Sequence, residues 1–226
     1  MQARPKTLKS KLFHAGQRLN LETSIKGFLN SQPAFLTAQT AQSPRAVGDA
    51  VQTLLSQNLR TLLGEFCTEY SDSFARRAMA DLAFTDTDGL YYRVDVKTHN
   101  VETHFNMPNL TSVERLTRFY EDDINHFCVL FVGYRVAGNS LRVEVVHFVP
   151  IEFLSWDCLT IGALGWGQIQ IANSNNIVIV PDMSRKTWML TLCEVMLEFY
   201  PREIGKISER IKFFEKVKSR WQVHEE

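Results

Sequence analysis

No stretch of this chain is apolar for long enough to cross a bilayer, which takes about 20 consecutive apolar residues, and none is repeated or of low complexity. The four cysteines, Cys67, Cys128, Cys158 and Cys193, lie far apart in apolar settings and form no CxxC pair. That argues for reduced thiols and against zinc sites or a disulfide framework. A surplus of one charge is missing too: 25 Lys and Arg stand against 25 Asp and Glu. The balance counts mildly against a nucleic-acid binder, which usually shows a basic face, although an acidic metal site offsets a basic groove in the total. The opening MQARPKTLKSKLF is basic but lacks an apolar core and a small-residue cleavage site. No signal peptide is expected, and the chain reads as cytoplasmic, with no membrane partner. His99, His104, His126 and His147 fall into no HExxH or Ser/His/Asp spacing, and the glycines of IGALGWGQ make neither a P-loop nor GxGxxG.

What is present suffices for one sizeable core. The chain has 226 residues, 45% of them hydrophobic, and reads as one domain over 1–226. Residues 1–42 are expected to form an N-terminal helical segment that runs into a polar TAQTAQSPR loop. From Val47 to Phe66 apolar residues recur at three and four, which marks an amphipathic helix entered through SPR. Residues 126–136 and 141–151 are strand-like runs around AGNS, and 167–181 hold two short strands around a polar turn. The segment 184–226 is expected to be a helical pair broken at Pro201. This order predicts an α/β fold bordering on α+β, with a mixed central sheet flanked by helices.

The stretch DLAFTDTDGLYYRVDVKTHN (81–100) carries the chemistry. Thr87-Asp88-Gly89 suits a three-residue hairpin loop with Gly89 in the left-handed position. That loop pairs Asp86 with Leu90, and counting back sets Asp81 opposite Asp95. Alternation then puts Asp81, Ala83, Arg93, Asp95 and Lys97 on one face and Leu82, Phe84, Tyr92, Val94 and Val96 on the other. Directly opposed carboxylates repel unless a cation sits between them, and magnesium suits such a pair near phosphates. Lys97, on the same face as Asp95, is then placed to position a water and to stabilise charge on a phosphoryl oxygen. A solvated face of mutual salt bridges fits the same spacing.

With Asp81 as the first acid and Asp95-Val96-Lys97 as D-x-K, the hairpin resembles the PD-(D/E)xK nuclease superfamily. Within it the chain is similar to type II restriction endonucleases of the HincII and EcoRV sort. The likeness continues through DVKTHNVETHFNMPN (95–109), GWGQIQIAN (165–173) and SRKTW (184–188), covering 43–190 in patches. Ala80 stands where the superfamily's name has proline, and His99 replaces an arginine. The resemblance implies magnesium held by Asp81, Asp95 and the Val96 carbonyl, Lys97 as the catalytic lysine, and an acid on the preceding helix. Asp49 matches that acid; a first-turn acid favouring the helix dipole explains it equally well. It also implies double-stranded DNA as substrate, a homodimer cutting a palindromic site, and a cognate DNA methyltransferase as functional partner.

Amides pair bidentately with adenine, which makes Gln168, Gln170 and Asn173 candidate base readers, with Asn106 and Asn109 on a loop held by Pro108. A polar strand face with an Asn-rich turn is the alternative. His99, two residues past Lys97, is a candidate DNA contact. Two other functions compete: a different nuclease on the same scaffold, such as a junction resolvase or repair nuclease, and a non-catalytic DNA-binding protein.

Overall fold

Ser43 starts the long helix that the apolar spacing predicts: its hydroxyl accepts the Ala46 N–H, and Pro44 takes the first helical position, where no N–H is needed. The helix carries Val47, Val51, Leu55 and Leu59 on its buried side. The structure is a computed structural model and describes residues 10–32, 36–72 and 79–224. Two compact units, Met1–Asp182 and Met183–Glu226, make up the chain. In the first unit α1 (Ala15–Ser31), α2 (Ala38–Ala41) and α3 (Pro44–Leu63) precede the strands β1 (Cys67–Ser71), β2 (Leu82–Asp86) and β3 (Tyr91–Asn100). β4 (Asn109–Ser112), α4 (Val113–Phe119), β5 (Asn125–Ala137), β6 (Ser140–Pro150), β7 (Leu159–Gly162) and β8 (Gln168–Ile171) follow. α2 is one helical turn inside the segment expected to be a loop, capped by Thr37.

The expected mixed central sheet is present, in the order β1-β2-β3-β5-β6. Among the described residues its β3–β5 pair is parallel and its other pairs are antiparallel. Helix α1 lies against β6: Asn30 exchanges two hydrogen bonds with the Val143 backbone, and Glu22 accepts the Phe148 N–H at 2.8 Å. Helix α3 lies against β3, and Gly48 makes the approach close: a Cβ there would stand 2.7 Å from Thr98 Oγ1. Phe84, Tyr92 and Phe148 are fully buried on one face of the sheet, and Phe127, which alternates with His126, is fully buried on the other. The expected hairpin also forms. Gly89 has φ +79, the Asp86 and Leu90 backbones meet at 3.0 Å, and the ladder runs Thr85↔Tyr91 to Leu82↔Val94.

A second, three-stranded sheet, β4-β8-β7, departs from the expected pair of strands in 167–181. β8 is one of them. The other shrinks to a single bridge, Ile179↔Leu154, because the backbone of 178–180 pairs with the turn after β6: Ser155 N–H donates to Val178 O and Val180 N–H to Phe153 O. β8 instead sits between β4 and β7, burying Ile169 and Ile171 on one side and presenting Gln168 and Gln170 on the other.

The second unit is one helix, α5 (Arg185–Gln222), not the expected pair. Pro201 removes one N–H from the ladder without ending it. One residue on, the Arg202 side chain adds a donor to the Glu198 carbonyl at 3.1 Å. Among the described residues no helix is long and apolar enough to cross a membrane.

Candidate active site

The ladder ends at Leu82↔Val94, one pair short of the expected Asp81–Asp95 pairing, and Asp81 stands just before the first paired residue of β2. Continued pairing would give the Val96 N–H a backbone acceptor; the Asp81 carboxylate takes that role, with Oδ2 accepting Val96 N–H at 2.7 Å. The Asp81 N–H donates to Val94 O at 3.0 Å. Gln52, reaching down from α3, donates to Asp81 Oδ1 at 2.8 Å. Both oxygens of Asp81 are thus oriented by neighbours, one on the strand and one on the helix.

Asp95 is buried, and its partner is Lys97, two residues along the same face, with Nζ 2.7 Å from Oδ1. Its other oxygen, Oδ2, is buried without a hydrogen-bond partner. An unpaired buried carboxylate oxygen is costly. Burial pushes the Asp95 carboxyl up to about 7; the Lys97 ammonium pulls it down, and the nearby Asp81 carboxylate raises it again. Arg93 takes no part, although it shares the strand's alternation. It stacks over Phe119, 4.9 Å from the ring centre, beside Tyr91.

Two clefts open beside this strand. One, of about 470 Å³, has Asp81 and Asp95 in its wall together with Ser112, Arg115, Trp166 and Gln168. The other, of about 320 Å³, is lined by Lys97, Asp49, Gln52, Arg45 and Asn106. Asp49 therefore faces the lysine's cleft and is not brought to the carboxylate pair. Its helix reaches the pair through Gln52, one turn further on, a residue that the sequence reading missed. The signal was available in the spacing: Gln52 lies three residues past Asp49 and four past Gly48, on the same side of the helix.

The remaining candidates separate. Gln168 shares the carboxylate cleft. Gln170 pairs with Asn109 across β8 and β4, Nε2 donating to Asn109 Oδ1 at 2.6 Å; Asn109 thus begins a strand and is not part of a loop. Gln170 also covers Gly162 so closely that a Cβ there would lie 2.7 Å from Oε1. Asn173 turns the chain, accepting the Asn175 N–H at 3.1 Å. His99 is buried, its Nε2 2.9 Å from Asn175 Oδ1 and its ring beside Phe131. Burial gives His99 a place inside the fold and no surface to offer DNA. Asn175 bonds the Thr103 and His104 carbonyls through Nδ2 and so holds the 101–108 segment against β3. Trp166 is exposed at the cleft's lip, with the Arg118 guanidinium 6.0 Å from its ring centre.

No group of three or more His, Cys, Asp or Glu side chains suited to a metal occurs among the described residues. The oxygen set at the end of β2 nevertheless fits a hard divalent cation. It has two neighbouring carboxylates in one cleft wall, Asp81 and Asp95, the second with an unpartnered buried oxygen. It also has the Val96 carbonyl, which leaves β3 on the same edge as the N–H bonded to Asp81. Comparison with protein-family models finds no match to this chain, and comparison with curated proteins finds none either.

Proposed function

We propose that this protein is a magnesium-dependent endonuclease that cuts double-stranded DNA at a short palindromic site, in the manner of type II restriction endonucleases. It would act in the cytoplasm as a homodimer, with a cognate methyltransferase protecting host DNA. The observation that carries the reading is the buried, unpartnered Asp95 Oδ2 beside Asp81 in the wall of an open cleft, with the Lys97 ammonium at 2.7 Å from the same carboxylate. The hairpin's resemblance to the PD-(D/E)xK pattern agrees with it.

Asp81, Asp95 and the Val96 carbonyl would hold the ion. Bound there, magnesium supplies a Lewis acid for the phosphate and acidifies a coordinated water. The chain's own groups do the rest. Gln52 and the Val96 N–H fix the Asp81 carboxylate in one orientation. Lys97 donates to the attacking water or to the phosphoryl oxygen on which charge grows, and is itself aimed by Asp95. In-line attack of the water oxygen on phosphorus breaks the P–O3′ bond, leaving a 5′-phosphate and a 3′-hydroxyl. Ser112 and Gln168, on the second sheet, line the same cleft and would meet the duplex beside the scissile phosphate.

The test is to incubate supercoiled plasmid with wild-type protein and with Asp95→Ala, each with magnesium and with chelator, and to map the ends. The expected result is magnesium-dependent linear product with 5′-phosphates from the wild type alone, while Asp95→Ala still binds DNA. Magnesium-dependent cutting by a clean Asp95→Ala preparation would overturn the assignment.

A further inference from the structure

The second half of α5 carries an apolar series that faces solvent: Leu197, Tyr200, Ile204, Ile207, Ile211, Phe214 and Trp221 are all exposed. Their spacing alternates three and four over more than three heptads, with Lys218 filling the one remaining place in the pattern. A helix lying on a globular core has a wider stripe with a 3.6-residue period. A strict three-and-four series stays on one side only where two helices wind round each other. The surface is shaped accordingly. A hollow of about 420 Å³ is lined by Ile207, Arg210, Ile211, Phe214, Glu215 and Lys218. In heptad positions the first four are d, g, a and d, the set that forms a hole for a facing knob; the last four are a, d, e and a, the next hole along.

We infer that this stripe is the seam of a two-stranded coil formed with α5 of a second copy of the same chain. The charges beside the seam complement themselves. Glu203 and Arg210 occupy g positions and Glu215 an e position. Arg210 therefore meets the partner's Glu215 if the helices run parallel and the partner's Glu203 if they run antiparallel. Lys218, a single polar residue at an a position, limits the number of strands at some cost in stability. Of the positions outside a and d, Arg202, Glu209, Lys212, Lys216 and Ser219 are polar, while Phe199, Pro201, Gly205, Phe213 and Val217 are not. The inference rests on the homodimer of the proposed function, to which it gives a surface, and is argued from this helix alone.

Sedimentation equilibrium of the full chain, without DNA or metal, tests it. The wild type should run at twice the 26.0 kDa chain mass, and Ile207→Asp/Ile211→Asp at the chain mass. Arg210→Glu should raise the dissociation constant roughly tenfold. A second reversal, Glu215→Arg in a parallel coil or Glu203→Arg in an antiparallel one, should restore it. A wild type that stays monomeric, a three-copy mass, a dimer that survives both aspartates, or failure of both rescues would overturn the inference. No arm reads cleavage, so loss of the catalytic reading would leave this result standing.

Discussion

Gly48→Ala puts the geometry that orients the site to a direct measurement. An alanine inside an ordinary helix stabilises it by about 1 kcal/mol relative to glycine. At this position the added Cβ would stand 2.7 Å from Thr98 Oγ1, where ordinary contacts begin at 3.4 Å. Either Thr98 leaves its rotamer, which a β-branched residue in a strand resists, or α3 lifts from β3 by several tenths of an ångström. Overpacking of this kind costs about 1–3 kcal/mol. Set against the helix gain, a net loss of about 1 kcal/mol is expected, or ~2–4 °C in Tm for a protein of this size. The lift acts on Gln52, one turn along the same helix, whose bond to Asp81 is 2.8 Å. A few tenths of an ångström takes it toward the limit of hydrogen bonding, so cleavage should fall more than stability does. Thr98→Ala removes the clashing oxygen, and the double variant should recover both Tm and activity. Melting by differential scanning calorimetry and plasmid cleavage of the four proteins make a double-mutant cycle. A single Gly48→Ala variant that melts above the wild type would refute the close approach of helix and strand.

Lys97→Ala should stop cleavage, losing about 3 to 4 kcal/mol of transition-state stabilisation, while calorimetric magnesium titration still shows binding; metal binding lost along with the lysine would give it a different role. Glu22 has its carboxyl raised by burial, against the lowering pull of the Phe148 N–H and Arg18. With a raised folded pKa the native state binds more protons than the unfolded chain, so this group's contribution falls as pH rises above 4.5. Glu22→Gln keeps an acceptor for Phe148, and its Tm should gain on the wild type as pH climbs through that window. Because His147 is shifted the other way by burial, the difference between the two curves is the quantity to read, and parallel curves would disprove the effect. Asn175→Ala removes the partner of His99 Nε2 and the donor to Thr103 and His104. It should cost about 1–3 kcal/mol and speed amide exchange across 101–108; unchanged protection there would show that Asn175 holds nothing.

The hairpin was legible because everything that decides it is local. Gly89 fixes the loop, the loop fixes the register, and alternation then puts Asp95 and Lys97 on one face whatever surrounds them. The long helix was legible for a similar reason, since Ser43, Pro44 and the apolar spacing lie within its own span. Pro201 misled because a proline's cost, about 3 kcal/mol, is shared over 38 residues of helix. The site's orientation was harder to read. Gln52 and Asp81 are 29 positions apart, and only the close packing at Gly48 tells which turn of α3 meets which strand residue.

The second sheet marks where such reading stops. β4, β7 and β8 have four residues each, too few for periodicity to separate them from loop. Their partners are distant: Asn109 pairs with Gln170, 61 residues on. The amides looked like base readers because they are polar, accessible and alternate along a strand, and the pairing changes what that means. Gln170 and Asn109 hold each other at 2.6 Å, so the orientation of each amide is set by the other, although each keeps a further donor and acceptor. Gln168, one alternation away, lies in the cleft with Asp81 and Asp95. Within the second sheet, sequence discrimination beside the scissile phosphate should therefore rest first on Gln168, with the Asn109–Gln170 pair setting the shape of the face on which it stands.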